Sequence, residues 1–166
     1  MLYYDQGSHK FVLRSKDPNV VKIHNIQRRA FGDGFLWTFP ATYPNVITSL
    51  RDFKAVFPEG KATEGAHEKI KYIKSIPQKV ETLEVINSLD YDFTYSPMVH
   101  QLQSIELMIH AHQLALILEQ GLGKTFVALH YMEIMKNCIN KGSFKTIVLA
   151  PKIVLNSWYY EALKFT

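Results

Sequence analysis

Residues 118 to 126, LEQGLGKTF, set two glycines, a lysine and a threonine behind the apolar run LALIL (114 to 118) and ahead of a segment with helical periodicity. That order of residue types suits the binding of a phosphate. Gly121 and Gly123 let the backbone turn tightly, so that N–H groups of the loop Glu119, Gln120, Gly121, Leu122 and Gly123 converge on an anion. The helix beginning near Lys124 adds its positive end. Lys124 is placed to reach the outer phosphates and Thr125 to offer its hydroxyl to magnesium, which makes these two the candidate catalytic residues and Thr125 the candidate metal contact. The general pattern has a further glycine five residues before Gly123, where this chain has Leu118. A glycine turn that merely joins strand to helix is the plainer alternative, but it leaves the lysine of the Gly-Lys-Thr triplet without a task.

The elements around the loop follow from patterning. Ser96 and Pro97 open a helix whose Met98, Leu102, Ile105 and Ile109 share a face, LALIL reads as a strand buried on both sides, and the glycine loop follows it. Ala128, Leu129, Met132, Met135 and Ile139 mark a second helix with Gly142 as its stop; KTIVLA (145 to 150) reads as a second buried strand and VLNSWYYEALKF as a third helix. This alternation predicts parallel strands joined by right-handed crossovers, an α/β arrangement.

The first part of the chain reads differently. KFVLRS (10 to 15) predicts a strand, DPNVVKIHNIQRR a helix capped by Asp17 with Pro18 in its first turn, and FLWTFP (35 to 40) an aromatic strand ended by Pro40. Val46, Ile47, Leu50, Phe53 and Phe57 predict an amphipathic helix ended by Pro58. PEGKATEGA (58 to 66) predicts a linker, HEKIKYIKSI a helix, and KVETLEVI fits helix and strand equally. The expected organisation is a small α+β module over 1–58, a linker and mixed segment over 59–93, and a loop-bearing unit over 94–166.

MVHQLQSIELMI, LALILEQGLGKT and TIVLAPKIVLNSWYYEALKF, in that order and spacing, resemble the opening motifs of Swi/Snf-type ATPases of helicase superfamily 2 over residues 95 to 166. The resemblance implies that 94–166 is the start of a RecA-like P-loop lobe with parallel strands, incomplete here, that binds ATP with Mg2+. It also implies that Gln101 reads the adenine edge, with Gln103 a weaker candidate, since a glutamine amide offers both a donor and an acceptor. The loop after the LAPK strand would touch the nucleic-acid backbone through Lys152 and Ser157, while Trp158 packs its helix. NIQRRAFGDGFLWTFPATYPNVITSL is similar to the HARP domain of annealing helicases, a module that engages branched DNA. That likeness implies phosphate contacts from Lys22, Arg28 and Arg29; Trp37 could be core or stacking platform, and Phe39 is expected in the core.

Composition constrains the rest. The 166 residues are 47% hydrophobic and 13% aromatic, enough for a packed core, and contain no apolar run of the length that spans a bilayer and no signal-peptide layout. An intracellular, cytoplasmic protein without a membrane partner is expected. The net charge of +4 is concentrated early, with Lys10, Arg14, Lys16, Lys22, Arg28 and Arg29 set against Asp17 alone between residues 9 and 30, which favours a polyanion. Cys138 has no second thiol to pair with, and His110 and His112 would point to different faces, so no structural zinc is expected.

Hydrolysis in such enzymes needs a carboxylate pair on a later strand and an arginine from a second lobe. No Asp-Glu or Asp-Asp dipeptide follows residue 126. The chain is therefore expected to be the amino-terminal portion of an ATP-dependent DNA translocase or helicase that remodels branched or duplex DNA without sequence preference. Alone it would be inactive, its remaining partner being the rest of its own helicase chain. The alternative is a non-catalytic DNA-binding or interfering module with a vestigial nucleotide loop. A small P-loop phosphotransferase fits less well, having no use for Gln101 or the LAPK strand.

Overall fold

A computed structural model of the protein describes residues 2–15, 26–42, 44–46, 62–111, 114–142 and 144–165. The chain divides into two compact units, Met1–Ile76 and Pro77–Thr166. The division falls inside one helix, at a proline that cannot donate to the carbonyl four residues back.

The first unit is built on a four-stranded antiparallel sheet: β1 (Leu2–Asp5), β2 (Lys10–Ser15), β3 (Gln27–Phe31) and β4 (Gly34–Pro40), in the order β1-β2-β4-β3. Side chains alternate between the faces of a strand, and the register sets Leu13 opposite Leu2 and Trp37, and Phe11 opposite Tyr4 and Phe39. That face is the core. Ala66 and Ile73 of α1 (Glu64–Thr82) are buried in the same cluster, with Ile70 and Ile76 packed against it at helical spacing. The α1 entry is tied to β1, the Thr63 N–H donating to the Leu2 carbonyl at 3.0 Å.

The strands expected at 10 to 15 and 35 to 40 are present; β1 was not foreseen. Gln27, Arg28 and Arg29, expected as a helix end, instead open edge strand β3, whose five side chains are all exposed. An edge strand facing solvent has no apolar alternation to announce it, and pairing with β4 across the Gly32–Asp33 turn overrides the local helical reading. Residues 44–46 are helical; Asp17, Pro18, Lys22, the remainder of the expected second helix at 47–58 and His112 lie outside the described residues. The expected linker gives way to α1 at Glu64, and KVETLEVI divides into the end of α1 and a short 3-10 turn at Ile86–Ser88.

The second unit is helical. α2 (Val99–His110) packs on α3 (Lys124–Ile134), and α4 (Lys152–Phe165) closes against α3 through Phe165, whose ring lies 5.3 Å from that of Phe126. Ile105, Val127 and Ile134 form its buried centre, with Ile86, Leu89, Tyr91, Phe93 and Leu116 against them. A π turn, Met135–Ile139, ends α3, and Gly142 follows in the left-handed region at φ 87°.

The parallel strands expected at 114 to 118 and 145 to 150 are absent: both segments are irregular, and every named ladder among the described residues is antiparallel. The fold is α+β, not a parallel α/β lobe. The physical reason lies in the side chains. A strand buried on both faces needs cover on both, whereas Ile117, Ile147 and Leu149 are 89%, 85% and 93% exposed. A short apolar run reports hydrophobicity, not a pairing partner. No helix among the described residues is long and apolar enough to cross a membrane.

Candidate phosphate loop

The loop sits where α2 and α3 begin. Gly123 caps α3 with φ 78° and ψ 37°, and its carbonyl accepts the first helical hydrogen bond, from the Val127 N–H at 2.9 Å. Gly121 is also left-handed, at φ 85°. The two glycines are required for different reasons. Around Gly121 a Cβ would meet nothing within 4 Å, so the dihedral alone demands glycine; at Gly123 a Cβ would also lie 2.4 Å from the Gln101 side-chain nitrogen.

Lys124 folds back over the loop. Its ammonium donates to the carbonyls of Leu118 (2.8 Å) and Glu119 (2.9 Å) and stays exposed, so it is held on the loop by groups that an arriving anion can replace. Thr125 is half-buried one residue on; Glu119, Gln120 and Gly121 are exposed and Leu122 half-buried. The exposed members leave the loop open to a ligand.

From the other side, the first turn of α2 grips the loop. The Gln101 side-chain oxygen accepts from the Met98 N–H at 2.9 Å, capping its own helix, and its nitrogen donates to the Leu122 carbonyl at 3.3 Å. His100 Nε2 lies 3.3 Å from the same carbonyl. The structure thus brings Gln101 to Leu122 and Gly123, where the sequence reading had it facing an adenine edge, and adds His100, which sequence reasoning missed. Gln103 is half-buried on the same helix.

What fixes α2 is a buried carboxyl group. Glu106, fully buried, accepts the backbone N–H groups of Val85 and Ile86, both at 2.9 Å, and the ring nitrogen of His110 at 3.0 Å. Its signal was available: it is the sole acidic residue in MVHQLQSIELMIH, set among apolar positions. Behind α3 the Tyr91 hydroxyl donates to Glu133 at 2.7 Å and lies 2.6 Å from His130 Nδ1, so that nitrogen must supply the proton of the second bond. Burial, then Glu133, pushes the Tyr91 phenol far up, while burial pulls His130 down against the opposing pull of Glu133.

The candidate DNA contacts are placed as follows. Arg28 stands opposite Trp37 and Arg29 opposite Leu36, so the two arginines face opposite sides of the sheet. Arg28 lies over the rings of Phe35 (5.0 Å) and Trp37 (5.8 Å). Trp37 and Phe39 are both buried, so Trp37 is a core residue rather than a stacking platform. Lys152 and Ser157 are exposed on α4, five residues apart and so on different faces of the helix. No three His, Cys, Asp or Glu side chains among the described residues are grouped to hold a metal ion. Comparison with known protein families, curated proteins and solved structures finds no match for this chain.

Proposed function

We propose that the 119–125 loop binds the phosphates of a nucleoside triphosphate, ATP with Mg2+, and that the chain belongs to an ATP-dependent DNA translocase or helicase. The observation that carries this reading is the pair of left-handed glycines, the second of them capping α3, with the Lys124 ammonium folded back onto the loop carbonyls. Such a loop supplies convergent N–H groups, a helix N-terminus and a cation that exchanges carbonyl oxygens for phosphate oxygens. Thr125 would contribute its hydroxyl to a magnesium whose other ligands are phosphate oxygens and water.

DNA is the proposed partner. Arg29, exposed on the edge strand, is the first-unit residue best suited to a phosphate; Arg28 joins it less readily because it stacks on Phe35 and Trp37. Lys152 offers a point charge and Ser157 a hydroxyl on α4. Sequence-independent binding fits these backbone-directed groups.

Equilibrium dialysis of ATP with Mg2+ against the full chain and its Lys124→Ala variant tests the nucleotide half. Loss of a charge-assisted phosphate contact costs about 1.5–3 kcal/mol, so the variant should bind roughly 10 to 150 times more weakly. Equal uptake by the two proteins would remove the phosphate-loop reading and favour a silent loop in a DNA-binding module.

A further inference from the structure

The Leu122 carbonyl is approached by two nitrogens from the first turn of α2, Gln101 Nε2 and His100 Nε2, each at 3.3 Å. A carbonyl oxygen has two lone pairs, and two donors fill both. The peptide that follows is trans, so its N–H points opposite to its C=O. A Leu122 carbonyl turned toward α2 therefore aims the Gly123 N–H away from α2.

We propose that His100 and Gln101 are positioning residues that lock the Leu122–Gly123 peptide, presenting the Gly123 N–H to the phosphate whatever base the nucleotide carries. This rests on the reading of the loop as a phosphate site and assigns roles within it. A lock is needed because a glycine accepts both signs of φ, so the peptide ahead of Gly123 has little intrinsic resistance to flipping. The Gln101 amide spends one lone pair on the Met98 N–H and one proton on Leu122, so a base would have to share it with both. The fit is close: a Cβ on Gly123 would displace the Gln101 side-chain nitrogen from its place over the loop. For His100 to donate, its Nε2 must carry the proton.

The test is a calorimetric titration of the full chain with tripolyphosphate, ATP and GTP, each with Mg2+, alongside His100→Phe, His100→Gln and Gln101→Met. The parent should bind ATP and GTP within about threefold of each other. Loss of one hydrogen bond should weaken all three ligands by a common factor of about ten in His100→Phe and in Gln101→Met. His100→Gln restores a donor at the same reach and should stay within about threefold of the parent, which a purely structural role for the imidazole would not produce. In 15N NMR the Gly123 amide proton should move downfield on adding tripolyphosphate to the parent; the same spectra show whether each variant is folded.

If Gln101→Met weakens ATP alone and spares tripolyphosphate, Gln101 reads the base and the proposal is overturned. Equal affinities in His100→Phe and His100→Gln would overturn the part played by His100. A parent that binds none of the three, or a Lys124→Ala variant that binds as the parent does, removes the phosphate loop and the lock with it; a binding parent whose Gln101→Met and His100→Phe variants both bind as it does removes the lock alone.

Discussion

Glu106 fixes the helix that grips the loop, and replacing it should loosen the second unit by a calculable amount. The carboxyl group satisfies two backbone N–H groups, of Val85 and Ile86, in a position closed to solvent. Glutamine keeps the shape and one acceptor oxygen, so one of those donors faces an amide NH2 instead. A buried donor left without a partner costs about 1–3 kcal/mol. Alanine orphans both, for about 2–6 kcal/mol, and removes the contact with His110 as well. Against a total stability of about 5–15 kcal/mol for a domain, the alanine change alone could unfold the unit. At about 4–8 °C per kcal/mol for a unit of this size, Glu106→Gln should lower the melting temperature by at least about 4 °C and Glu106→Ala by at least about 8 °C. Thermal melts followed by helical circular dichroism measure both, since most of the helix among the described residues lies in this unit. Were Glu106→Gln to melt within about 2 °C of the parent and Glu106→Ala to match it, the two hydrogen bonds would not be what holds α2, and the positional account of the loop would lose its support.

Other expectations concern the loop, the buried cluster and the sheet. An L side chain at a left-handed φ costs about 1–2 kcal/mol, so Gly121→Ala should weaken phosphate binding modestly, and Gly123→Ala more, because its Cβ also meets the Gln101 amide; matched affinities would contradict the geometry. Because burial lowers the His130 pKa, the unfolded chain takes up that proton first, and stability present above about pH 6.5 is lost as pH falls. The drop in denaturant midpoint between about pH 7.5 and about pH 5.5 should therefore be smaller in His130→Leu than in the parent. Tyr91 runs the other way: with its phenol raised by burial and by Glu133, stability should decline above about pH 10, and Tyr91→Phe should flatten that decline in alkaline melts. Arg28→Ala should cost about 0.5–1 kcal/mol of stability through the lost contact with Phe35 and Trp37, while Arg29→Ala should leave stability intact and reduce the salt slope of DNA binding by about one; the reverse pattern in urea melts and salt titrations would exchange their roles.

The elements legible in the sequence were those whose apolar positions recur with a regular period. KFVLRS and FLWTFP carry an apolar set on one face and became β2 and β4, and the helices at 99–110, 124–134 and 152–165 were visible in their periodic apolar positions. Two kinds of segment misled. Gln27, Arg28 and Arg29 are exposed in β3, so nothing in them distinguishes a charged helix end from an edge strand; their partner across the turn decides. LALIL and KTIVLA are apolar throughout, yet they leave Ile117 and Leu149 in solvent, because hydrophobicity without a neighbouring strand makes no ladder. The turn of the loop into α3 was legible because glycines set its dihedrals locally. His100 was not, and Glu106 was marked only as a lone acid among apolar positions, since each acts through groups some twenty residues away in the chain, on Leu122 and on Val85 and Ile86.

The most direct measurement is the release of phosphate from ATP, with and without forked DNA, by the full-length protein beside its Lys124→Ala variant. Turnover that rises with DNA and disappears in the variant is the predicted result. Turnover that survives the loss of Lys124, or a protein that binds DNA but releases no phosphate, would contradict the account.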